Sequence, residues 1–145
     1  MRNRPTLILG AGVAVCGLAA AGESNWRVVV WTDPLTVSID TASISAAAQA
    51  DLVTARVLWD YTNPQKTQGN SAATYRSMIG LVVFDCATDR FGGASGVSYA
   101  GDDGAGAVVS RYAVDPSDTR LSNVAPGTVG RDMLALVCAS AKEAE

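Results

Sequence analysis

The three cysteines of this chain have the side chains whose chemistry depends most on their surroundings. Cys16 lies in an apolar segment near the N-terminus, whereas Cys86 and Cys138 lie in the remainder of the chain. Thiolates act as nucleophiles and metal ligands, and in an oxidising compartment pairs of thiols form disulfides. The chain has no histidine, which removes Ser-His-Asp and Cys-His catalysis and most zinc sites. The redox state of the compartment therefore determines whether the cysteines are reactive thiols or form a disulfide.

Carboxylates are the remaining candidates for acid–base catalysis. Asp85 and Asp89 are near neighbours, and Asp102 and Asp103 are adjacent between two glycines, where turn chemistry explains them. A calcium site is a second interpretation of this turn, although the alternating acids of a calcium loop are absent. Residues 101–106 also lack the Lys and Ser/Thr of a phosphate-binding loop. We expect no catalytic residue, metal or cofactor; the alternative is a small periplasmic enzyme that uses these carboxylates.

The N-terminal segment has the three-part layout of a secretory signal peptide. Arg2 and Arg4 form a basic start, residues 7–21 form an apolar stretch, and Ala19-Ala20-Ala21-Gly22 supplies small side chains for a peptidase. The apolar stretch is short and rich in glycine and alanine for a membrane anchor. We predict that residues 1–21 are a signal peptide and that the protein is exported to the periplasm or the outer surface.

Removal of the signal peptide leaves residues 22–145, the size of one domain. Cys16 leaves with the signal. Lipid attachment needs a small residue before the cysteine, and Val15 does not fit, so we interpret Cys16 as part of the apolar segment rather than as a lipoprotein signal. Cys86 and Cys138 then remain in an oxidising compartment, where they are predicted to form a disulfide.

Sequence periodicity predicts strands followed by one helix. β-Branched, aromatic and alternating residues predict six strands, over 26–31, 35–40, 52–61, 74–86, 91–99 and 107–114. Residues 41–44 are predicted as a tight turn that returns Ile44 to the core, and the polar residues 62–72 as a mobile loop. The fourth strand is apolar enough at its end to be covered on both faces.

Thr128 is a plausible N-cap for a C-terminal helix. After it, apolar residues recur at the helical spacing, at Val129, Met133, Leu136 and Val137. The predicted fold is therefore α+β: an antiparallel sheet of about six strands with one C-terminal helix packed on it, tied by the disulfide.

The charge distribution and the tryptophans bear on the kind of partner. The formal charge is −3 and the basic residues are scattered, which argues against a nucleic-acid partner, since phosphate binding needs grouped Lys and Arg. Trp59 shares the buried parity of its strand and is expected in the core. For Trp31, at a strand end, core packing and an exposed sugar- or partner-binding role stay open.

Several short motifs in order along the chain resemble one protein family. They are Val37-Ser38-Ile39-Asp40-Thr41-Ala42-Ser43-Ile44, Val57-Leu58-Trp59-Asp60-Tyr61, Tyr75-Arg76-Ser77, Phe84-Asp85-Cys86, Arg90, Tyr99, Pro126-Gly127-Thr128 and Cys138. Together they resemble the surface-adhesin protein E family of Gram-negative bacteria. The resemblance implies a six-stranded antiparallel sheet and a helix tied to it by one disulfide.

The resemblance also implies a function at the bacterial envelope or surface. The family's best-known member is a dimeric adhesin for host matrix proteins and plasminogen. The resemblance therefore implies a protein partner at the envelope or host surface, and a homodimer is compatible with it. Its lysine-bearing host-binding segments have no counterpart here, because the mature chain keeps only Lys66 and Lys142. We therefore expect an exported, adhesin-like, non-catalytic binding domain.

The polar loop and an exposed sheet edge are the expected contact regions, because loops on a rigid framework carry much of recognition. The partner-binding candidates are Asn63, Gln65, Lys66, Gln68 and Asn70.

The signal peptide predicts cleavage close to Gly22. Mass spectrometry of the protein from its native host should show a mature N-terminus at or beside this residue. Cytoplasmic protein that retains Met1 would contradict the prediction.

Overall fold

The computed structural model describes residues 23–49 and 51–144, with the backbone alone at 70 and 71. The predicted signal peptide lies outside the described residues, and its export role stays a prediction. No helix in the described ranges has the length and apolar character needed to cross a membrane.

One antiparallel sheet and one helix make up the fold, as predicted. The strands are β1 (Trp26–Trp31), β2 (Leu35–Ala46), β3 (Leu52–Thr67), β4 (Asn70–Asp85), β5 (Arg90–Tyr99), β6 (Val108–Ala113) and the short β7 (Ser122–Asn123). The sheet order is β1-β2-β3-β4-β5-β6, so each of these strands pairs with its neighbour in sequence. The unpredicted β7 pairs with the start of β5. The helix α1 spans Val129–Glu143.

Strand β2 is longer than predicted, because residues 41–44 form an irregularity within the strand instead of a turn. The pairing of β2 with β3 shifts between Asp40 and Ser45. The Asp40 carboxylate, 3% exposed, accepts hydrogen bonds from the backbone N–H groups of Asn25 and Ala42 at 2.9 and 3.1 Å. The bond from Ala42 satisfies a donor within the irregular segment, and the bond from Asn25 ties the residue before β1 to β2. Ile44 packs against the core, as expected.

The predicted mobile loop over residues 62–72 is wrong. Strand β3 continues to Thr67 and β4 begins at Asn70, so a two-residue turn joins them. Gly69 has a φ of +82°, the left-handed conformation that such a turn requires and that glycine adopts without strain. The segment resembles a loop in sequence because neither of its faces is buried, and it therefore lacks the alternation of apolar residues by which a strand is detected.

The core lies between α1 and one face of the sheet. Val53 pairs with Phe84 and Ala55 with Val82, which directs these four side chains to the same face. All are buried, together with Val37, Ile39 and Val57 from the sheet and Met133, Leu134 and Val137 from α1. Each fully buried side chain of this size stabilises the fold by roughly 1.5–3 kcal/mol.

The helix begins as predicted. The Thr128 hydroxyl accepts a hydrogen bond from the backbone N–H of Arg131 at 3.3 Å, so Thr128 is the N-cap. In the first turn, Gly130 lies directly on the Phe91 ring, where an added Cβ would lie 2.6 Å from a ring carbon. Only glycine permits this approach between α1 and the start of β5.

Connecting segments cover the opposite face of the sheet. Val83 is completely buried on that face, and a Cβ added to its neighbour Gly92 would lie 2.2 Å from the Arg120 carbonyl oxygen. The segment after β6 therefore crosses this part of the sheet. The end of β4 is covered on both faces, as predicted, since Val82 and Phe84 on the helix side are also buried.

The predicted disulfide is present. Cys86 follows the last residue of β4 and Cys138 lies within α1, with their Cα atoms 5.7 Å apart. The bridge joins the helix to the end of the central strand across a sequence separation of 52 residues.

Replacing Cys86 or Cys138 by Ser should lower the free energy of unfolding by up to about 4 kcal/mol, the chain-entropy value for a loop of this length. Urea denaturation monitored by tryptophan fluorescence measures the loss. Reduction of the wild-type protein should reproduce it, and two titratable thiols in the native oxidised protein would contradict the assignment.

Candidate binding surface

The hairpin formed by β3 and β4 extends beyond the rest of the sheet. Strand β2 pairs with β3 only as far as Tyr61, and β5 pairs with β4 only from Ser77 onward. Residues 63–76 therefore pair only with each other, and we call them the hairpin arm. In the described part of the chain, no strand pairs with the outer edges of this arm.

All five predicted partner-binding residues lie in the hairpin arm. Asn63, Gln65 and Lys66 belong to β3, Gln68 lies in the turn, and Asn70 begins β4. The structure thus brings the predicted residues together, but on a paired ribbon instead of a loop. Asn63, Lys66 and Gln68 are exposed. Such side chains combine hydrogen-bond donors and acceptors with one positive charge.

The arm is fixed at its base. Arg76 donates a hydrogen bond from Nη2 to the Thr62 carbonyl oxygen at 2.9 Å. Its Nε lies 3.2 Å from an Asp102 carboxylate oxygen, an ion pair without hydrogen-bond geometry. The Tyr61 and Tyr75 rings meet edge to face, with centroids 6.0 Å apart. The first and third contacts join the two strands of the hairpin to each other, and the ion pair with Asp102 connects the base of the arm to the turn over residues 101–106.

Below the arm, the turn over residues 101–106 is attached to the sheet by Ser77. The Ser77 side chain is fully buried; its hydroxyl donates to the Gly101 carbonyl at 2.6 Å and accepts from the Gly104 N–H at 2.8 Å. Asp60 accepts a hydrogen bond from the Asp103 N–H at 3.3 Å. These contacts place the predicted acidic pair Asp102–Asp103 beside Asp60.

Burial and the two neighbouring carboxylates together raise the pKa of Asp60. Burial raises the pKa of the Asp60 carboxyl, and the Asp103 side chain and the charges of Asp103 and Asp102 raise it further. The hydrogen bond from the Asp103 N–H acts in the opposite direction. Sequence reasoning did not single out Asp60, because it lies 43 positions from its partner along the chain.

The other predicted carboxylates serve local structure. Asp85 accepts hydrogen bonds from Thr88 Oγ1 at 2.6 Å and Arg90 Nη2 at 2.9 Å, and both contacts lower its pKa. Asp89 instead pairs with Arg131 of α1, 3.1 Å away. Asp85 and Asp89 therefore do not converge on a shared site. The described residues contain no group of three or more His, Cys, Asp or Glu that could hold a metal.

The sheet edges and the tryptophans provide further surface. Trp59 is partly buried against the core, as expected, whereas Trp31 at the end of edge strand β1 is 84% exposed. Trp26 lies under the Arg56 guanidinium, whose carbon is 5.4 Å from the ring centroid. At the opposite edge, β6 exposes about half of Tyr112.

Comparison with known proteins identifies a family and a set of related structures. The model of the family described as surface-adhesin protein E matches residues 26–139. A search of curated proteins gives no match. A solved structure of Haemophilus influenzae protein E is 18% identical, with a TM-score of 0.58, and the match covers 85% of this chain and 90% of that one.

Two further structures agree with this match. Crystal form II of the Haemophilus influenzae protein is 17% identical, with a TM-score of 0.55 and coverage of 73% of this chain and 82% of that one. Protein E from non-typeable Haemophilus influenzae is 16% identical, with a TM-score of 0.54 and coverage of 84% and 82%. At these identities the likeness establishes a shared fold.

Replacing Asp60 by Asn should stabilise the protein at neutral pH. The raised pKa of Asp60 means that its folded form binds a proton more readily, so the associated stability is present below the usual carboxyl pKa and is lost as pH rises through the folded value. Asn keeps the acceptor for the Asp103 N–H without the charge. We expect a gain below about 1 kcal/mol, because the site is partly solvated.

Urea denaturation at pH 7 and pH 3.5 measures this gain. The difference between D60N and wild type should vanish at the lower pH. A destabilised D60N at pH 7 would contradict the electrostatic account.

Proposed function

This chain belongs to the surface-adhesin protein E family, and on that premise we propose that it is an exported, non-catalytic binding domain of the bacterial envelope or outer surface. We propose that it recognises a protein partner through the hairpin arm. The observation that carries this proposal is the extension of β3 and β4 beyond their neighbours.

The outer edges of the arm favour recognition of protein. A strand edge without a neighbour presents backbone N–H and C=O groups that an extended peptide can pair with. Exposed side chains such as Asn63, Lys66 and Gln68 add polar contacts on both sides of the ribbon. An arm of this kind supplies affinity through the backbone and specificity through alternate side chains.

The contacts at the base of the arm also support a role in binding. The Tyr61–Tyr75 contact joins the two strands at the base, and Arg76 contacts Asp102 of the neighbouring turn, so a partner meets a paired ribbon. Less conformational entropy is then lost on association than with a mobile loop.

The surroundings of Asp85, Asp89 and Asp51 favour binding over catalysis at these three carboxylates. Asp85 and Asp89 each have their own arginine partner. A groove of about 670 Å³ beside the disulfide, between Leu52 and Ala141, has Asp51 as its one carboxylate among the lining residues described. Acid–base catalysis by two carboxylates needs them to converge on one substrate. The proposal further expects a protein partner at the envelope or host surface. It also expects location in the periplasm or at the outer surface, and it is compatible with a homodimer.

Excising the arm tests the proposal. Residues 66–74 are replaced by Asn-Gly, a two-residue hairpin turn that closes on the existing pair of Gln65 and Tyr75. The melting temperature should change little, because the arm contributes no residue to the core. Binding to immobilised host matrix proteins or to solubilised envelope proteins, measured by biolayer interferometry, should be lost.

The control variant is Val108→Ser, which changes one exposed side chain on edge strand β6. This variant should bind as the wild type does. Undiminished binding after excision of the arm would contradict its role. Turnover of a peptide, ester, glycoside or phosphate substrate that is abolished by Asp85→Asn or Asp102→Asn would make the protein an enzyme.

A further inference from the structure

We propose that the turn between β1 and β2 forms a binding cleft for a neutral hexopyranose, separate from the hairpin arm. The cleft has a volume of about 430 Å³ and is lined by Trp31, Thr32, Asp33, Thr36 and Thr62. The cleft is shallow and open to solvent, so a ligand would lie against Trp31 instead of being enclosed.

The exposure of the Trp31 side chain is unusual for a large aromatic residue. Its side chain is 84% exposed, more than any other large apolar side chain that is exposed in the described chain. An exposed indole contributes almost nothing to burial of apolar surface. Its negatively polarised face is suited to the slightly positive C–H groups on one face of a pyranose ring.

The wall beside Trp31 is held in place before any ligand binds. Thr32 donates to the Leu35 carbonyl from both its N–H and its hydroxyl, each at 2.9 Å. Thr62 of β3 donates from its N–H to the Pro34 carbonyl at 3.2 Å and from its hydroxyl to the Asp33 carbonyl. These bonds tie the turn to itself and to the neighbouring strand, so little ordering is lost on binding.

The polar groups in the cleft are available for sugar hydroxyls. Within the described ranges, the Asp33 carboxylate and the Thr36 hydroxyl have no hydrogen-bond or ion-pair partner. A carboxylate accepts two hydrogen bonds, which matches adjacent hydroxyls on one sugar ring. Thr36 can both donate and accept.

The charge of the cleft selects the class of sugar. Asp33 is the one charged residue among the lining residues, and no Lys or Arg is among them. Sialic and uronic acids would bring a carboxylate close to that of Asp33, whereas a neutral hexose would not. An aromatic platform beside a carboxylate and hydroxyls thus favours neutral glycans.

Saturation-transfer NMR and tryptophan fluorescence titration of the purified protein with lactose, maltose, cellobiose and 3′-sialyllactose test the proposal. At least one neutral disaccharide should bind saturably and more tightly than 3′-sialyllactose. Trp31→Ala should weaken that binding at least tenfold with an unchanged melting temperature, and Asp33→Asn should weaken it several-fold. The matched control is Tyr112→Ala at the opposite edge of the sheet, which should bind as the wild type does.

The arm-excised variant separates this proposal from the proposed function, because it should keep sugar binding while losing the protein partner. The proposal would be overturned by the absence of saturable binding to any neutral disaccharide, by wild-type affinity in Trp31→Ala, or by tighter binding of 3′-sialyllactose. A protein partner that needs Trp31 and still binds after enzymatic deglycosylation would assign the cleft to protein and overturn it as well.

Discussion

The pairing of β3 with β4 is the constraint on which the rest of the structure depends. Its register opposes Val53 to Phe84 and Ala55 to Val82, so that the apolar side chains of both strands face α1. A slip of one residue would direct these side chains to the opposite face. The same two strands continue past their neighbours as the hairpin arm, so one ladder of hydrogen bonds organises both the core and the proposed recognition element.

The helix completes the core from one side, and several kinds of contact hold it. Apolar packing of Met133 and Val137 covers the sheet, Gly130 allows contact with Phe91, and the disulfide fixes Cys138 to the end of β4. The ion pair of Arg131 with Asp89 adds a polar contact at the first turn. Because a single helix covers only part of one face, the disulfide contributes where a small domain has limited apolar surface to bury.

The proposed binding features share one end of the sheet. Thr62 lies at the base of the hairpin arm and also lines the cleft beside Trp31. Hydrogen bonds from Thr62 to the β1–β2 turn and from Arg76 to Thr62 connect the two features through a single residue. The disulfide lies just beyond the opposite end of β4, at Cys86, away from the proposed recognition surface.

The order of six strands, the capped helix and the disulfide followed from the sequence alone, because each has a local signal. Alternation marks strands with one buried face, and Thr128 marks a helix start. Cys86 and Cys138 are the two cysteines outside the predicted signal peptide, so each is the partner expected for the other. The five polar residues now in the arm were grouped from the sequence as partner-binding candidates, and that role stays a prediction. Their strand conformation was not predicted, because a ribbon with no buried face carries no periodic signal.

Tertiary structure alone decided the remaining features. The exposure of Trp31, the position of Asp60 beside Asp103 and the pairing of Asp89 with Arg131 each depend on residues that are distant in sequence. Local patterns report which face of a strand is buried, but they do not report which distant groups the sheet and its connections bring to that face. That information exists only once the register of the strands is set.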